Sequence, residues 1–320
     1  MIITLTPNPS MDRTIELPAP LERGEVQRAV SVAQEPGGKG VNIVRALSAS
    51  AIDALALLPG DPEDAVIRAL SAATIPHLGL PIGAELRCNV AITEPDGTTT
   101  KVNEPGPTLT PAQLTALLEL AVEKSDGAGW LVLAGSLPPG APNDFYARVI
   151  DAVRGKYGAA APKVAVDSSG RPLAACLAAC PDLLKPNAEE LAELTGFGDA
   201  AALEDDPARA AAAAQTLVDG GVGAVLATLG SKGAVLVTAA GTWLASGPKI
   251  VAKSTVGAGD SALAGYLLST LSGATAPECL QQAVAHGAAA ASLPGTLVPA
   301  LHQTNPHAVN VAALAPAKEN

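Results

Sequence analysis

Residues 110–135, "TPAQLTALLELAVEKSDGAGWLVLAG", contain a complete helix followed by a complete strand. Thr110 offers a capping hydroxyl, and Pro111 stands at the first helical position, where a missing N–H costs nothing. The run that starts at Trp130 is apolar without alternation, as in a parallel strand covered on both faces. The same rhythm returns three times. "NDFYARVIDAVRGKYG" (143–158) precedes "KVAVDSS" (163–169), "PLAACLAAC" (172–180) precedes "DLLKPN" (182–187), and "DPARAAAAAQTLVDGG" (206–221) precedes "GAVLATLG" (223–230). Short buried strands alternating with helices predict an α/β fold, with a mostly parallel central sheet between two helical layers.

Two upstream segments break the rhythm. Met11–Gln34 is rich in charge and proline, and Arg87–Pro105 carries "CNVAITEPDGTTTKVNEP" (88–105), two alternating strands about the turn Glu94-Pro95-Asp96-Gly97. They predict a small sheet outside the main one, able to cover a site. The expected division is an α/β core of residues 1–11, 36–85 and 106–320, with a β lid from residues 12–35 and 86–105.

Composition bounds the partners. The chain has 320 residues, 48% of them hydrophobic and 16% charged, which fits a large buried interior and excludes a disordered protein. Lys and Arg total 20 against 31 Asp and Glu, and the net charge of −11 repels nucleic-acid backbones and anionic membranes. Two Trp, three Tyr and two Phe leave little to stack on bases. No nucleic-acid or membrane partner is expected.

Cys88, Cys176, Cys180 and Cys279 follow no disulfide framework, so reduced thiols are the default. Cys176 and Cys180 fall four apart on a predicted helix, but no further ligand follows at metal spacing. "MIITLTPNPSMDR" lacks the basic start and small-residue cleavage site of a signal peptide, and no apolar stretch of about 18 residues is free of Gly, Pro and charge. The expected location is the cytoplasm.

Three glycine turns could carry chemistry. "PGGKGVNIVRALS" (36–48) opens a helix but is no P-loop, because Ala33 and Gly40 stand where Gly and Ser or Thr are needed, and Ile43 breaks a dinucleotide fingerprint. What remains is a backbone open to a ligand, with Lys39 as a cation and Asn42 as an amide, or a plain tight loop. "STVGAGDSALAGYLLSTL" (254–271) matches a dinucleotide pattern at Gly257, Gly259 and Ala262, but another helix follows where a second strand would be required. Its glycines free N–H groups at the positive end of a helix dipole beside Asp260. If the anion held there is a transferable phosphoryl group, Asp260 can take the proton of the attacking hydroxyl; otherwise it merely complements the dipole. "TLGSKGA" (228–234) is a turn at a strand end, where open sheets keep ligands, or a simple hairpin. "KPNAEEL" (185–191) sets Asn187 and Glu190 as a capping box, and Glu190 near a polyphosphate could hold Mg²⁺ through water. His77, His286, His302 and His307 are scattered, and Ser136 in "GSLPPG" lacks a nucleophile elbow.

Taken in order, "TPNPSMDRT", "PGGKGVNIVRAL", "EPDGTTTKVNEPGP", "GSLPPG", "KPNAEEL", "TLGSKGA" and "STVGAGDS" resemble the PfkB (ribokinase-like) sugar kinase family over nearly the whole chain. The resemblance implies a ribokinase-like three-layer αβα sandwich with a small β-sheet lid, through which many members dimerise. It implies a kinase using ATP and Mg²⁺, with a monovalent cation near the anion turn left open. Position by position, it makes Asp260 the base and Gly257-Ala258-Gly259 the anion hole. It gives the sugar to Asp12, Gly38, Lys39 and Asn42, and the substrate's own phosphate to Arg87, Lys101, Asn103 and Ser136. The nucleotide falls to Lys185, Asn187, Thr228, Gly230, Ser231 and Gly233, and Mg²⁺ to Glu190 through water. The opening and "LERGEV" (21–26) resemble the branch acting on ketohexose phosphates, nearest to members that phosphorylate the 6-hydroxyl of fructose 1-phosphate. Tagatose 6-phosphate and fructose 6-phosphate are the rival substrates. A non-catalytic sugar-phosphate sensor is the rival of another class, although a sensor would be expected to lose Asp260 or its glycines. Two positions depart from the family pattern: Ser254, where many members have Asp, and Cys88 on the lid.

Overall fold

A computed structural model describes residues 1–314. The first half of the chain runs β1 (Ile2–Leu5), β2 (Ser10–Glu16), β3 (Ser31–Gly37), α1 (Lys39–Ala49), β4 (Ala54–Pro59), α2 (Ala65–Ala72), β5 (His77–Leu80), β6 (Arg87–Thr93), β7 (Thr99–Asn103), α3 (Pro111–Lys124), β8 (Trp130–Ala134) and α4 (Phe145–Tyr157). The second half continues with β9 (Lys163–Asp167), α5 (Gly170–Ala175), β10 (Leu183–Leu184), α6 (Ala188–Thr195), α7 (Ala200–Asp205), α8 (Pro207–Asp219), β11 (Ala224–Thr228), β12 (Ala234–Thr238), β13 (Gly241–Ser246), α9 (Ala258–Leu271), α10 (Ala276–Ala291) and β14 (Asn310–Ala313).

Ten strands form the main sheet in the order β14-β13-β12-β11-β10-β9-β8-β1-β4-β5. From β11 to β5 every pairing is parallel, and each strand there is nearly all apolar, because helices cover both faces. Side chains alternate between the layers along β1: Ile3 and Leu5 join the core beneath α3–α8, while Ile2 joins the core beneath α1, α2, α9 and α10. The parallel rule ends at β12, since β11, β12, β13 and β14 pair antiparallel. The "TLGSKGA" turn is therefore a hairpin connection. Gly233 in it has φ of 103°, and a Cβ there would run into the Ala245 carbonyl, so hairpin packing alone requires that glycine.

The second sheet has the order β3-β2-β6-β7. β2 pairs antiparallel with β3 and parallel with β6, so segments far apart in sequence meet at its centre. β6 and β7 form a hairpin closed by the Gly97 N–H donating to the Glu94 carbonyl at 2.9 Å. Its edge strand β7 is exposed throughout, as is most of β3. One expected helix is shorter than its sequence suggests. α5 stops at Ala175, a single tight turn follows, and Cys180 lies in the left-handed region (φ 45°), so Cys176 and Cys180 do not share a helix face. No helix among the described residues is long and apolar enough to cross a membrane.

Candidate active site

The chain winds from β1 outward to β4 and β5 on one side, and from β8 outward on the other. Open α/β sheets bind ligands in the crevice outside the carboxyl ends of the strands at such a reversal. Those ends deliver Asn8 after β1, Ser136 after β8, Asp167 at the end of β9, Lys185 and Asn187 after β10, and Thr228 at the end of β11. An isolated parallel bridge sets Asn187 directly beside Thr228.

Into this crevice points the start of α9. Asp260 through Ser269 are all buried, which fixes the helix from every side and with it the aim of its first turn. Gly257 precedes the helix in the left-handed conformation (φ 74°), which a residue with a Cβ adopts only at a cost. Helices α3, α6 and α10 carry capping boxes, whereas no side chain among the described residues caps α9. The first ladder bond runs from the Ser261 N–H to the Gly257 carbonyl at 2.9 Å, so the N–H groups of Gly259 and Asp260 lie ahead of it and remain available to an anion.

Asp260 is buried in that turn and its Oδ2 accepts a hydrogen bond from Asn42 Nδ2 at 2.9 Å. Burial, and then the charge of Asp167, push its pKa up to about 6; Lys39, the Asn42 hydrogen bond and Lys185 pull the other way. A carboxylate with that affinity for a proton is ionised at neutral pH and is a better base than an exposed aspartate.

Asp167, fully buried, was missed by the sequence reading although it closes an otherwise apolar strand, "KVAVD". Lys39 Nζ lies 2.5 Å from its Oδ1 and Lys185 Nζ 3.0 Å from its Oδ2. Burial alone would push the Asp167 carboxyl up, but the two ammonium groups outweigh it and hold it below the ordinary value. Lys39 also reaches Glu190 Oε1 at 3.7 Å. Burial opposes the charge of Lys39, yet Asp167, Glu190 and Asp260 together keep its pKa above the ordinary one. Lys185 is turned toward the Gly257–Gly259 turn: a Cβ built on Gly259 would lie 3.3 Å from its Nζ.

At the other end of the crevice, Arg87 stands at the start of β6. Its Nη2 donates to the Asn8 carbonyl at 2.9 Å and to Ser136 Oγ at 3.4 Å, and its Nη1 donates to the Glu104 carbonyl at 3.0 Å. Its buried Nε has no hydrogen-bond partner among the described residues. Arg87, Asn8 and Ser136 line a cavity of about 490 Å³ together with Pro105, Asn143 and Ser169. Nearby, Asp12 accepts from Ser10 Oγ at 2.7 Å and from Asn89 Nδ2 at 3.1 Å. Asn8 and Asn89 are further residues the sequence reading passed over, because an asparagine on a strand or loop carries no pattern of its own.

Not every residue singled out from sequence enters this cluster. Lys101 and Asn103 lie on the exposed strand β7, and their side chains make no hydrogen bond or ion pair within the described residues. Gly230 and Ser231 sit on the β11–β12 hairpin beyond Thr228, and Gly38 forms the start of α1. Glu190 is committed in part: its Oε2 accepts the Asn187 N–H at 2.9 Å, while Asn187 Oδ1 accepts the Glu190 N–H at 2.8 Å. Among the described residues no three His, Cys, Asp or Glu side chains converge as a metal cage. His286 belongs to packing. It is buried between α9 and α10, its Nδ1 is 2.7 Å from Gln282 Nε2, and burial lowers its pKa to about 4.

The sequence matches the pattern of the pfkB family carbohydrate kinases over residues 6–303. It is 36% identical over 293 residues to a 1-phosphofructokinase of Xanthomonas campestris, covering 88% of each chain. The fold superposes on phosphofructokinase-2 of Escherichia coli, solved with fructose-6-phosphate, with a TM-score of 0.81 and 29% identity over 91% of this chain and 93% of that one. It also follows ribokinase of Arabidopsis thaliana, solved with ribose and ATP, with a TM-score of 0.70 at 22% identity over 95% of each chain.

Proposed function

The chain belongs to the pfkB carbohydrate kinase family, is an ATP-dependent sugar-phosphate kinase with a ribokinase-like fold, and, we propose, phosphorylates the 6-hydroxyl of fructose 1-phosphate to give fructose 1,6-bisphosphate. The observation that carries the mechanism is a buried carboxylate, Asp260, hydrogen-bonded by Asn42 in the first turn of a helix that no side chain among the described residues caps.

In this reading the sugar lies between the lid and α1, held by Asp12, Gly38, Lys39 and Asn42, with its 1-phosphate on Arg87 and Ser136. Lys101 and Asn103 reach it only if the lid moves, because in this structure they are exposed. Asn42 occupies Asp260 Oδ2, which leaves Oδ1 to accept the proton of the attacking 6-hydroxyl. Charge accumulating on the transferred phosphoryl group meets the N–H groups of Gly259 and Asp260 and the Lys185 ammonium, all fixed before the reaction begins. Asn187, Thr228 and the hairpin Gly230–Gly233 form the nucleotide side. Mg²⁺ bound to the nucleotide would neutralise phosphate charge, and the Glu190 oxygen not used by its helix cap, Oε1, suits a metal held through water. A closed lid excludes water and so protects ATP from hydrolysis.

The lid also suits a homodimer interface, since Val26, Val30, Val32 and Val102 are 89%, 67%, 49% and 58% exposed on or beside it. Sedimentation in solution tests this: a monomer at working concentration would remove the interface.

The decisive assay compares kcat/KM for fructose 1-phosphate, fructose 6-phosphate and tagatose 6-phosphate with ATP and Mg²⁺. A clear preference for fructose 1-phosphate supports the proposal. Preference for a 6-phosphate, which the fructose-6-phosphate complex of the Escherichia coli relative makes the main rival, keeps the mechanism and replaces the substrate. Binding without turnover of any of them would favour a sensor.

A further inference from the structure

We propose that Arg45 is a positioning residue that ties lid strand β3 to the orientation of Asp260; the inference rests on the phosphoryl-transfer reading above. Arg45 follows Asn42 by three residues on α1, so both side chains occupy one face of the helix. Its Nη1 donates to Asn42 Oδ1 at 3.3 Å, and its Nη2 lies 3.5 Å from Glu35 Oε2 on β3. Arginine can only donate, so the contact selects the carbonyl end of the Asn42 amide. The amide's N–H₂ is then turned to the Asp260 carboxylate, where it donates at 2.9 Å. A four-residue chain, Glu35–Arg45–Asn42–Asp260, thus runs from the lid to the reacting carboxylate.

Two features separate this chain from an ordinary surface contact. The Arg45 side chain is only 12% exposed and that of Glu35 31%, so solvent screens the pair less than it does most ion pairs. Glu35 is also the register partner of Asp12 across β2 and β3, which places the lid end of the chain next to a residue assigned to the sugar. With the lid in place, Glu35 holds Arg45 over Asn42 and the oxygen of Asp260 is set for the hydroxyl. With the lid displaced, Arg45 loses its anchor and the Asn42 amide is free to rotate.

The test is steady-state kinetics with ATP and fructose 1-phosphate on the wild type, R45M, R45K, E35Q, N42A and the double variant R45M/N42A, with urea unfolding of each. R45M is expected to lower kcat by about 10- to 30-fold while the sugar KM stays within about twofold, the signature of an interaction that matters in the transition state. R45K should recover part of the loss, since a single ammonium cannot span both partners. E35Q should lower kcat about three- to fivefold, and R45M/N42A should be no slower than N42A, because the two residues act in series. Wild-type kcat in folded R45M, or losses that multiply in the double variant, would overturn the inference. If R45M does not fold, E35Q decides, and an unchanged kcat there rejects the link to the lid. Absence of turnover in the wild type removes the kinase reading and this inference together, whereas an active wild type with indifferent variants removes only the role of Arg45.

Discussion

Helices α6 and α9 start at the same edge of the sheet, and each carries a carboxylate in its first turn that faces the same crevice, yet their ends are finished in opposite ways. At α6 the protein satisfies its own backbone: Asn187 and Glu190 exchange hydrogen bonds at 2.8 and 2.9 Å in a capping box. At α9 a Gly-Ala-Gly turn leaves the N–H groups without a capping side chain, and the acid is buried and accepts from a neighbouring helix instead. The first arrangement builds stability from within the chain. The second gives up that stabilisation and leaves room for a ligand with negative charge.

The sharpest way to break this contrast is Asp260→Asn. If α9 is the reacting end, kcat should fall by about 10³ or more with KM little changed, since both the base and its charge are lost. In the wild type kcat/KM should decline as pH falls through about 6, where Asp260 takes up its proton. The stability effect has the opposite sign. An acid whose pKa rises on folding favours the fold while protonated, at low pH, and costs stability as pH climbs past its folded value. D260N should therefore unfold at higher urea than wild type at pH 8, by about 1–3 kcal/mol, and match it near pH 4. A variant that is inactive and less stable at pH 8 would make Asp260 a structural residue. Next in size is Gly257→Ala, which must hold a Cβ at φ 74°. Nothing among the described residues lies within 4 Å of that Cβ, so the fold should lose about 1 kcal/mol while kcat falls by about 10- to 100-fold through a shifted turn. Equal losses of stability and activity would show that the turn serves the helix alone.

Legibility in the sequence divides along the same line. The α6 cap could be read directly, since an Asn with Glu three residues on is a local pattern whose meaning lies within one turn of helix. Thr110 and Pro111 at the start of α3 were readable for the same reason. Asp260 was visible as a carboxylate among glycines, but its partner Asn42 lies 218 residues away, and the family resemblance gave Asn42 to the sugar without pairing it to Asp260. Asp167 carries no pattern of its own: within "KVAVDSS" it is one polar residue at a strand end, and its meaning comes from Lys39 and Lys185, which reach it from α1 and from the segment after β10. The hairpin at β12 was one of two readings of "TLGSKGA", and the sequence could not choose between them because a buried strand reads alike in either direction. The sequence carries the periods of the elements, whereas side chains brought together from different strand ends leave no period at all.

Glu190 belongs to the capped end and yet has one oxygen toward Lys39. Glu190→Gln preserves the cap, because glutamine serves equally well in a capping box, and stability should stay within about 0.5 kcal/mol of wild type. Its lost charge should show in the Mg²⁺ titration, with the half-saturating concentration rising about tenfold at fixed ATP. An unchanged titration would confine Glu190 to capping.

The smallest expected effect is that of Asn187→Ala, and it tests the capped end on its own terms. Removing a capping side chain costs about 1 kcal/mol, so the urea midpoint should fall with an unchanged slope. Asn187 is also bridged to Thr228 through the backbone, and alanine preserves that bridge, so the carboxyl edge of the sheet should keep its shape. If the α6 cap serves the fold alone, kcat should then drop only a few-fold, with the change concentrated in the KM for ATP. A variant as stable as wild type but slower by about 10² would mean that the Asn187 amide contributes its energy to the nucleotide in the transition state. The two helix ends would then be alike: α6, too, would hold its polar groups for the ligand, and its hydrogen bonds to Glu190 would be a resting arrangement that binding replaces.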